Sequence, residues 1–109
     1  MGEGRLPEPI ETAAFRIVQQ ALTNTARHAR AKNVQVILRL DVRALELAVI
    51  DDGTGFDVRE ARVRSQAGES LGLVDMEELA SLAGGSLTIT STPGRGSTVR
   101  VRFPMNLDQ

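Results

Sequence analysis

The chain has 109 residues, of which 41% are hydrophobic and 25% charged; its formal net charge is -1 and it contains no cysteine. These values fit one compact domain, so we expect residues 1–109 to share a single core. The small net charge argues against a dedicated nucleic-acid surface. The lack of cysteine excludes disulfides, thiolate metal ligands and cysteine nucleophiles.

No apolar stretch approaches the roughly 20 residues that a membrane-spanning helix needs, and the first residues do not resemble a signal peptide. We therefore expect a soluble domain without direct membrane contact. The sequence contains no internal repeat and no low-complexity segment, which again favours one ordinary globular unit.

The first predicted element is an amphipathic helix from Glu8 to about Ala31. Pro7 and Pro9 mark its beginning, and Lys32-Asn33 ends it because Asn readily adopts the left-handed conformation that terminates helices. Its apolar residues recur every three or four positions, as expected for a helix with one buried side. They are Ile10, Ala14, Ile17, Val18, Ala21 and Leu22.

A polar strip borders the apolar side of this helix. Gln20, Asn24 and His28 are spaced by four residues, and Arg16 and Arg27 lie beside them on a helical wheel. The strip is rotated by roughly 110° from the centre of the apolar face. A solvated flank is the ordinary interpretation, and the edge of a pocket is the alternative. Asn24 favours the pocket, because an amide beside a core needs a hydrogen-bond partner.

Two strands are predicted next, because the apolar spacing changes from that of a helix to strict alternation. We expect them to form a hairpin through the residues from Asp41 to Ala44. The alternating apolar side chains are Val34, Val36, Leu38 and Leu40 in the first strand and Leu45, Leu47 and Val49 in the second.

The second strand runs into the segment DDGTG, residues 51–55. Asp-Gly commonly forms a hairpin turn. A hairpin needs a returning strand, however, and residues 57–69 lack strand periodicity, so they predict a long connection of the lid type. The alternative is a site in which the strand ends at a carboxylate and the glycines let a flat ligand approach closely. A buried carboxylate only accepts hydrogen bonds, which suits an exocyclic amine such as that of adenine.

A second amphipathic helix is predicted from about Gly72 to Ala83, ended by Gly84-Gly85. It opens with SLGL, residues 70–73. Free amides at a helix start can bind phosphate, although an ordinary N-terminal cap explains the segment equally well. No Walker-type phosphate loop is present, so a nucleotide would have to bind in another fold.

Two further strands, 86–92 and 97–103, are predicted around the turn TPGRG, residues 92–96, in which Pro presets one dihedral angle and Gly allows positive φ. In the last strand Val99, Val101 and Phe103 alternate with polar residues, so one sheet face meets a core and the other faces water. The predicted fold class is therefore α+β, a two-layer sandwich with helices on one face of the sheet.

Together these stretches resemble the ATP-binding catalytic domain of sensor histidine kinases in the gyrase, Hsp90, histidine kinase and MutL superfamily, and most closely the NarL/DesK-type subfamily. RIVQQALTNTARHA (16–29) is similar to its N box, DDGTG (51–55) to its G1 box, SLGL (70–73) to its G2 box and GSLTITSTPGRGST (85–98) to its closing hairpin. The resemblance covers about residues 11 to 104. It implies the Bergerat ATP-binding fold, with a mixed, mostly antiparallel sheet.

The resemblance also implies ATP and Mg²⁺ as cofactors. Asn24 would coordinate the Mg²⁺ that bridges the phosphates, and Arg27 and His28 would contact the phosphates themselves. Gly72 and Leu73 would flank the phosphates below a lid.

At the other end of the nucleotide, Asp51 would accept a hydrogen bond from the adenine amine. Gly53 and Gly55 would shape the pocket floor, and Ser97 or Thr98 would complete the adenine site.

The chain departs from the family pattern in three places. The usual Glu four residues before Asn24 is Gln20, which removes an acid or base, so hydrolysis of ATP by activated water should be poor. Gln20 and Asn24 remain the candidate catalytic residues. Ser70 replaces a glycine of the G2 box. Asp75 and Leu79 stand where the subfamily often has Gly and Arg, so the partner contacts of the second helix are open.

The implied function is that of a protein-histidine kinase. The domain would bind Mg-ATP and donate the γ-phosphate to a histidine on a separate dimerisation and phosphoacceptor domain, for relay to a response regulator. His28 belongs to the N box, so this chain alone is not expected to autophosphorylate. The expected location is the cytoplasm, where the domain would be either part of a soluble protein or the cytoplasmic part of a membrane-anchored sensor. Two alternatives are a nucleotide-responsive interaction module without turnover and an anti-sigma-factor-type serine kinase on the same fold.

Overall fold

The computed structural model describes residues 7–26, 31–55, 59 and 72–105. These residues form a layer of two helices on a four-stranded sheet, which confirms the predicted two-layer α+β architecture. The elements in chain order are α1 (Glu8–Asn24), β1 (Val34–Leu40), β2 (Ala44–Asp51), α2 (Leu73–Leu82), β3 (Ser86–Ser91) and β4 (Ser97–Pro104). Neither described helix is long and apolar enough to cross a lipid bilayer.

The strand order is β1-β2-β4-β3, and each neighbouring pair is antiparallel. We predicted a mixed, mostly antiparallel sheet; the pairings between the described strands are all antiparallel. β2 is paired over its whole length, with β1 along one edge and β4 along the other. The hairpin interpretation of residues 51–55 is therefore wrong, because no returning strand could find a free edge on β2.

The core lies between the helix layer and one face of the sheet. Strand alternation sends Leu45, Leu47 and Val49 of β2 to that face, and Val101 and Phe103 of β4 join them. Each such side chain contributes about 1.5–3 kcal/mol when fully buried. The buried helix residues that pack on them are Ile10, Ala13, Ala14, Ile17, Ala21, Leu73, Met76 and Ala80.

Glycines delimit α2 as its sequence predicts. Gly72 precedes the helix with φ 64° and Gly84 follows it with φ 82°. The Gly84 amide donates to the Ser81 carbonyl at 3.0 Å, and the Gly85 amide donates to the Ala80 carbonyl at 2.7 Å, so these two carbonyls of the last turn are satisfied. The predicted continuation of α1 through residues 27–30 lies outside the described residues.

Strand β1 differs from its expected environment. Its alternation predicts one covered face, yet all seven residues are exposed, including Val36 at 48% and Leu38 at 60%. The reason is its place in the sheet. β1 is an edge strand, and the described residues of the helices pack mainly over β2 and β3.

Candidate functional site

Asp51 ends strand β2 and is the one buried polar or charged residue of the described part, with 8% of its surface exposed. Its Oδ1 accepts a hydrogen bond from the Gly53 amide at 2.8 Å, and its Oδ2 accepts one from the Ser97 hydroxyl at 2.5 Å. Asp51 and Ser97 are direct partners in the β2–β4 register, which explains their contact across 46 positions. The strand therefore ends in a buried and oriented carboxylate.

Thr25 brings a third donor to this carboxylate from the end of α1. Its Oγ1 lies 3.3 Å from Asp51 Oδ2 and 3.1 Å from the Ala21 carbonyl. Sequence reasoning missed this residue. A signal was present, because Thr25 follows the buried Ala21 by four positions and so shares its side of the helix. The contact also brings the helix end that carries Asn24 against the end of β2.

Gln20 and Asn24, two members of the predicted polar strip, are in contact. The Gln20 side-chain amide donates to Asn24 Oδ1 at 3.4 Å, and both residues are half-buried. Gly72 lies directly beside Gln20, since a Cβ added to it would be 2.7 Å from Gln20 Nε2. The polar strip of the N box thus meets the start of α2, which belongs to the G2 box. A site formed by both boxes requires this contact. Arg27, His28 and Ser70 lie outside the described residues.

Leu73, which the resemblance puts next to the phosphates, has its side chain in the core with 1% exposed. Only its main-chain amide can therefore serve a ligand. Amides of the first turn of a helix have no intrahelical acceptor, and the helix dipole adds a partial positive charge there. The start of α2 beside Gln20 accordingly offers polar main-chain groups rather than side chains.

The loop after Asp51 rests on the turn between β3 and β4. A Cβ on Gly55, which has φ 68°, would lie 2.1 Å from the Thr92 carbonyl oxygen, so only glycine fits. The Gly94 amide also donates to the Thr54 carbonyl. These contacts pack the loop of residues 51–55 directly against the turn of residues 92–96.

The structure distinguishes the two adenine-site candidates on β4. Ser97 contacts Asp51, whereas Thr98 pairs with Ile50 and Thr90. Because successive side chains of a strand point to opposite faces, Thr98 lies on the sheet face away from the helices. The geometry brings Ser97 and not Thr98 to the buried carboxylate.

Asp52, the second carboxylate of the pair, is exposed and engaged elsewhere. Its Oδ1 accepts hydrogen bonds from the Lys32 and Asn33 amides and its Oδ2 one from the Asn33 side chain, each at 2.9 Å. The Asn33 amide and side chain hold the pKa of Asp52 below its ordinary value of 3.8. Asp52 therefore fastens the connection between α1 and β1 and is not part of the site.

Arg16 lies apart from the carboxylate. It lines a groove of about 780 Å³ between α1 and α2, together with Phe15, Gln20 and Leu79. Gln20 thus borders this groove on one side and contacts Asn24 on the other, whereas neither Asp51 nor Ser97 lines the groove. The described residues also contain no cluster of three His, Cys, Asp or Glu side chains that could hold a metal ion.

Comparison with known proteins gives a consistent result. Residues 10–107 match the family model described as histidine kinase-, DNA gyrase B-, and HSP90-like ATPase. The chain is 40% identical over 96 residues to the sensor histidine kinase LiaS of Bacillus subtilis. It is 36% identical over 110 residues to the signal transduction histidine-protein kinase/phosphatase DegS of Brevibacillus brevis. These alignments cover 88% and 100% of this chain but only 25% and 27% of the two relatives.

Among solved structures, the ATP binding domain of PrrB from Mycobacterium tuberculosis superposes with a TM-score of 0.67 at 28% identity, covering 92% of this chain and 69% of that one. The histidine kinase domain of a blue-light activated kinase from Erythrobacter litoralis gives a TM-score of 0.74 over 92% of this chain and 46% of that one. At 24% identity, the second match supports the fold alone.

Proposed function

This chain belongs to the family of histidine kinase-, DNA gyrase B- and HSP90-like ATPases, and we propose that it binds Mg-ATP as the catalytic domain of a sensor histidine kinase. The observation that carries the proposal is the Asp51 carboxylate, buried at a strand end and held by donors from three separate segments. None of the ion pairs between described residues involves Asp51. A buried carboxylate without a cationic partner is costly unless its lone pairs are used, so a ligand that donates to it is favoured.

At the adenine end, Asp51 would accept a hydrogen bond from the exocyclic amine. Guanine presents a carbonyl oxygen at the corresponding position, which would face an acceptor-only group and leave both buried acceptors unpaired. Gly53 and Gly55 would allow the purine to approach the main chain closely, and the Ser97 hydroxyl would keep the carboxylate oriented. The site is therefore proposed to select adenine over guanine.

At the phosphate end, the Asn24 amide oxygen would be the protein ligand of Mg²⁺, with Gln20 holding the amide by the hydrogen bond described above. This donor set fits the ion, because Mg²⁺ prefers oxygen ligands and is commonly held by one or two protein oxygens together with substrate phosphates. Bound Mg²⁺ would supply neutralisation of phosphate charge. We propose that the main-chain amides at Gly72 and Leu73, and the side chains of Arg27 and His28, provide the remaining contacts.

The proposed reaction is transfer of the γ-phosphate to a histidine on a separate helical dimerisation domain, followed by relay to a response regulator. Such a reaction depends mainly on positioning and charge neutralisation, so the protein needs little covalent chemistry of its own. Gln20 cannot act as a general base because its side chain is an amide. The acceptor histidine would therefore enter the reaction in its neutral, nucleophilic form.

Gln20 also supports a second candidate function. If the missing carboxylate at this position abolishes turnover, the domain would be a nucleotide-responsive interaction module. A phosphotransfer assay separates the two. The chain is mixed with a histidine-bearing acceptor domain and labelled ATP, with Gln20→Glu and Asp51→Asn as parallel variants. The kinase proposal predicts labelled acceptor with native Gln20 and little label with Asp51→Asn. No label with native Gln20, restored by Gln20→Glu, would support the interaction module instead.

A further inference from the structure

We infer that Thr25 is a positioning residue that sets the preference of the site for a nucleobase with an exocyclic amine, acting through the Asp51 carboxylate. The inference rests on the proposed function and names a determinant of specificity at the same site. Its basis is the convergence of two hydroxyl groups, from α1 and from β4, on one carboxylate oxygen.

The hydrogen bonds around Asp51 can be counted. An ionised carboxylate offers about four acceptor positions on its two oxygens. The Gly53 amide occupies one on Oδ1, and the hydroxyls of Ser97 and Thr25 approach Oδ2 at 2.5 and 3.3 Å. With the Thr25 proton, which the Ala21 carbonyl shares, three protein donors approach the carboxylate and one position stays open for a ligand, which matches a single N–H of an amine.

The three donors come from three different parts of the fold. Gly53 lies in the turn directly after β2, Ser97 begins β4, and Thr25 follows the last residue of α1. A turn amide and a neighbouring strand fix the carboxylate within the sheet layer, and among the described residues Thr25 alone donates to it from the helix layer. Since Asn24 is the residue before Thr25, the same contact relates the proposed adenine end to the proposed phosphate end.

The Thr25 hydroxyl has one proton and two acceptors, the Ala21 carbonyl at 3.1 Å and Asp51 Oδ2 at 3.3 Å. Without the hydroxyl, the carboxylate would lose one donor and gain a vacant acceptor position on the side of the helix. Its orientation would be less restricted, and the remaining position would no longer face a single direction. Loss of the hydroxyl should therefore weaken the binding of ligands that donate a hydrogen bond to Asp51. It should not weaken the binding of ligands that lack this donor.

Calorimetric titration with two nucleotides tests this selectively. The ligands are ATP and the triphosphate of purine riboside, which lacks the exocyclic amine. The variants are Thr25→Val, which replaces the hydroxyl by a methyl group, and Thr25→Ser, which keeps it. Thr23→Val is the matched control, because Thr23 is on the same helix but lines the groove between the helices and not the carboxylate site.

Thr25→Val is expected to weaken ATP binding by about three- to tenfold, the range for one ordinary hydrogen bond, because the Thr25 proton is shared with the Ala21 carbonyl. Binding of the amine-free triphosphate should stay within about twofold, and Thr25→Ser should restore the ATP affinity. Thr23→Val should leave both affinities unchanged. If Thr25→Val fails to fold, as judged by thermal unfolding, Thr25→Ala is measured in its place with the same expectation.

Equal losses for both nucleotides would show that Thr25 has a structural role only and would overturn the inference. An unchanged ATP affinity in Thr25→Val, or failure of Thr25→Ser to restore it, would do the same. Failure of the proposed function looks different, because the unmodified chain would then bind ATP no better than the amine-free triphosphate, or bind neither.

Discussion

Asp51 and Asp52 are chemically identical neighbours that the fold uses for different purposes. Each carboxylate lies within hydrogen-bonding distance of three protein donors. Asp51 is buried and its donors come from the helix end, its own turn and β4, whereas Asp52 is exposed and its donors come from Lys32 and Asn33. The number of partners does not make a carboxylate a candidate site. Burial at the meeting point of two layers does, because there an unused lone pair is costly.

The division follows from the geometry of a strand end. Successive side chains of an extended chain point in opposite directions, so only one of two adjacent residues can face the helix layer. The β2–β4 register brings Asp51 to Ser97 on that side. Asp52 instead accepts hydrogen bonds from Lys32 and Asn33, the two residues directly before β1. One residue is thus proposed to bind the ligand and the other to support its surroundings.

The largest expected effect comes from Gly96, which lies against both aspartates. It has φ 82°, and a Cβ there would be 2.3 Å from the Asp51 carbonyl oxygen and 3.2 Å from Asp52 Cα. Gly96→Ala should cost about 2–5 kcal/mol of unfolding free energy, from the left-handed conformation and the clash together. Urea denaturation measures it. Gly94→Ala is the control, because Gly94 has φ 84° but open space around its Cβ, so only about 1–2 kcal/mol is expected. Equal losses of unfolding free energy in Gly96→Ala and Gly94→Ala would contradict the close packing of Gly96 against Asp51.

Asp51→Asn and Asp52→Asn test the different roles of the two aspartates. Asp51→Asn should weaken ATP binding by about 1–3 kcal/mol, the scale for losing a hydrogen bond to a charged group. Asp52→Asn removes the neighbouring charge without touching the proposed contact, so ATP affinity should stay nearly unchanged. Calorimetric titration of both variants with ATP measures the two affinities. Equal affinities for Asp51→Asn and the native chain would remove Asp51 from the adenine site.

Asn24→Asp tests the phosphate end independently of the two aspartates. A carboxylate in place of the amide adds negative charge near the proposed phosphates and alters the metal ligand. The dependence of ATP binding on Mg²⁺ should therefore change, whereas the preference for ATP over GTP should not. Titrations at several Mg²⁺ concentrations measure both quantities. Identical Mg²⁺ dependence in the variant and the native chain would argue against Asn24 as a metal ligand.

The smallest effect concerns Asp52 and acid stability. Because its pKa is lowered in the folded state, Asp52 stabilises the fold above its unfolded value near 3.8, and that contribution is lost as pH falls through the lower folded pKa. Asp52→Asn should flatten the decline of unfolding free energy below about pH 4. Asp41→Asn is the positive control. The Arg43 and Ala44 amides lower the pKa of Asp41 in the same way, so this variant should flatten the acid profile as well. An unchanged acid profile in Asp52→Asn would contradict the described hydrogen bonds.

Much of this fold follows from local sequence patterns. Periodicity predicts the two helices and four strands of the described residues, and in every element except β1 repeating apolar residues enter or pack against the core. The exposure of β1 could not be predicted that way, since alternation shows that a strand has an apolar face but not whether another layer covers it. The choice between Ser97 and Thr98 is likewise decided by strand register, which a motif does not contain.

The candidate site was predictable in part. The sequence points to Asp51 because a strand that ends in a carboxylate followed by two closely spaced glycines, with no returning strand, is unusual without a ligand. Thr25 and the role of Asp52 were not identified, because their contacts join residues 26 and 19 to 20 positions apart. Such contacts depend on how the end of α1 meets the end of β2. The sequence pattern of either segment alone does not determine this tertiary contact.

The most direct test of the account is a calorimetric titration of the native chain with ATP and with GTP, each in the presence and absence of Mg²⁺. The account predicts saturable one-to-one binding of ATP that strengthens with Mg²⁺, together with much weaker binding of GTP. Absence of ATP binding, or equal affinity for the two nucleotides, would contradict the proposal that Asp51 accepts a hydrogen bond from adenine.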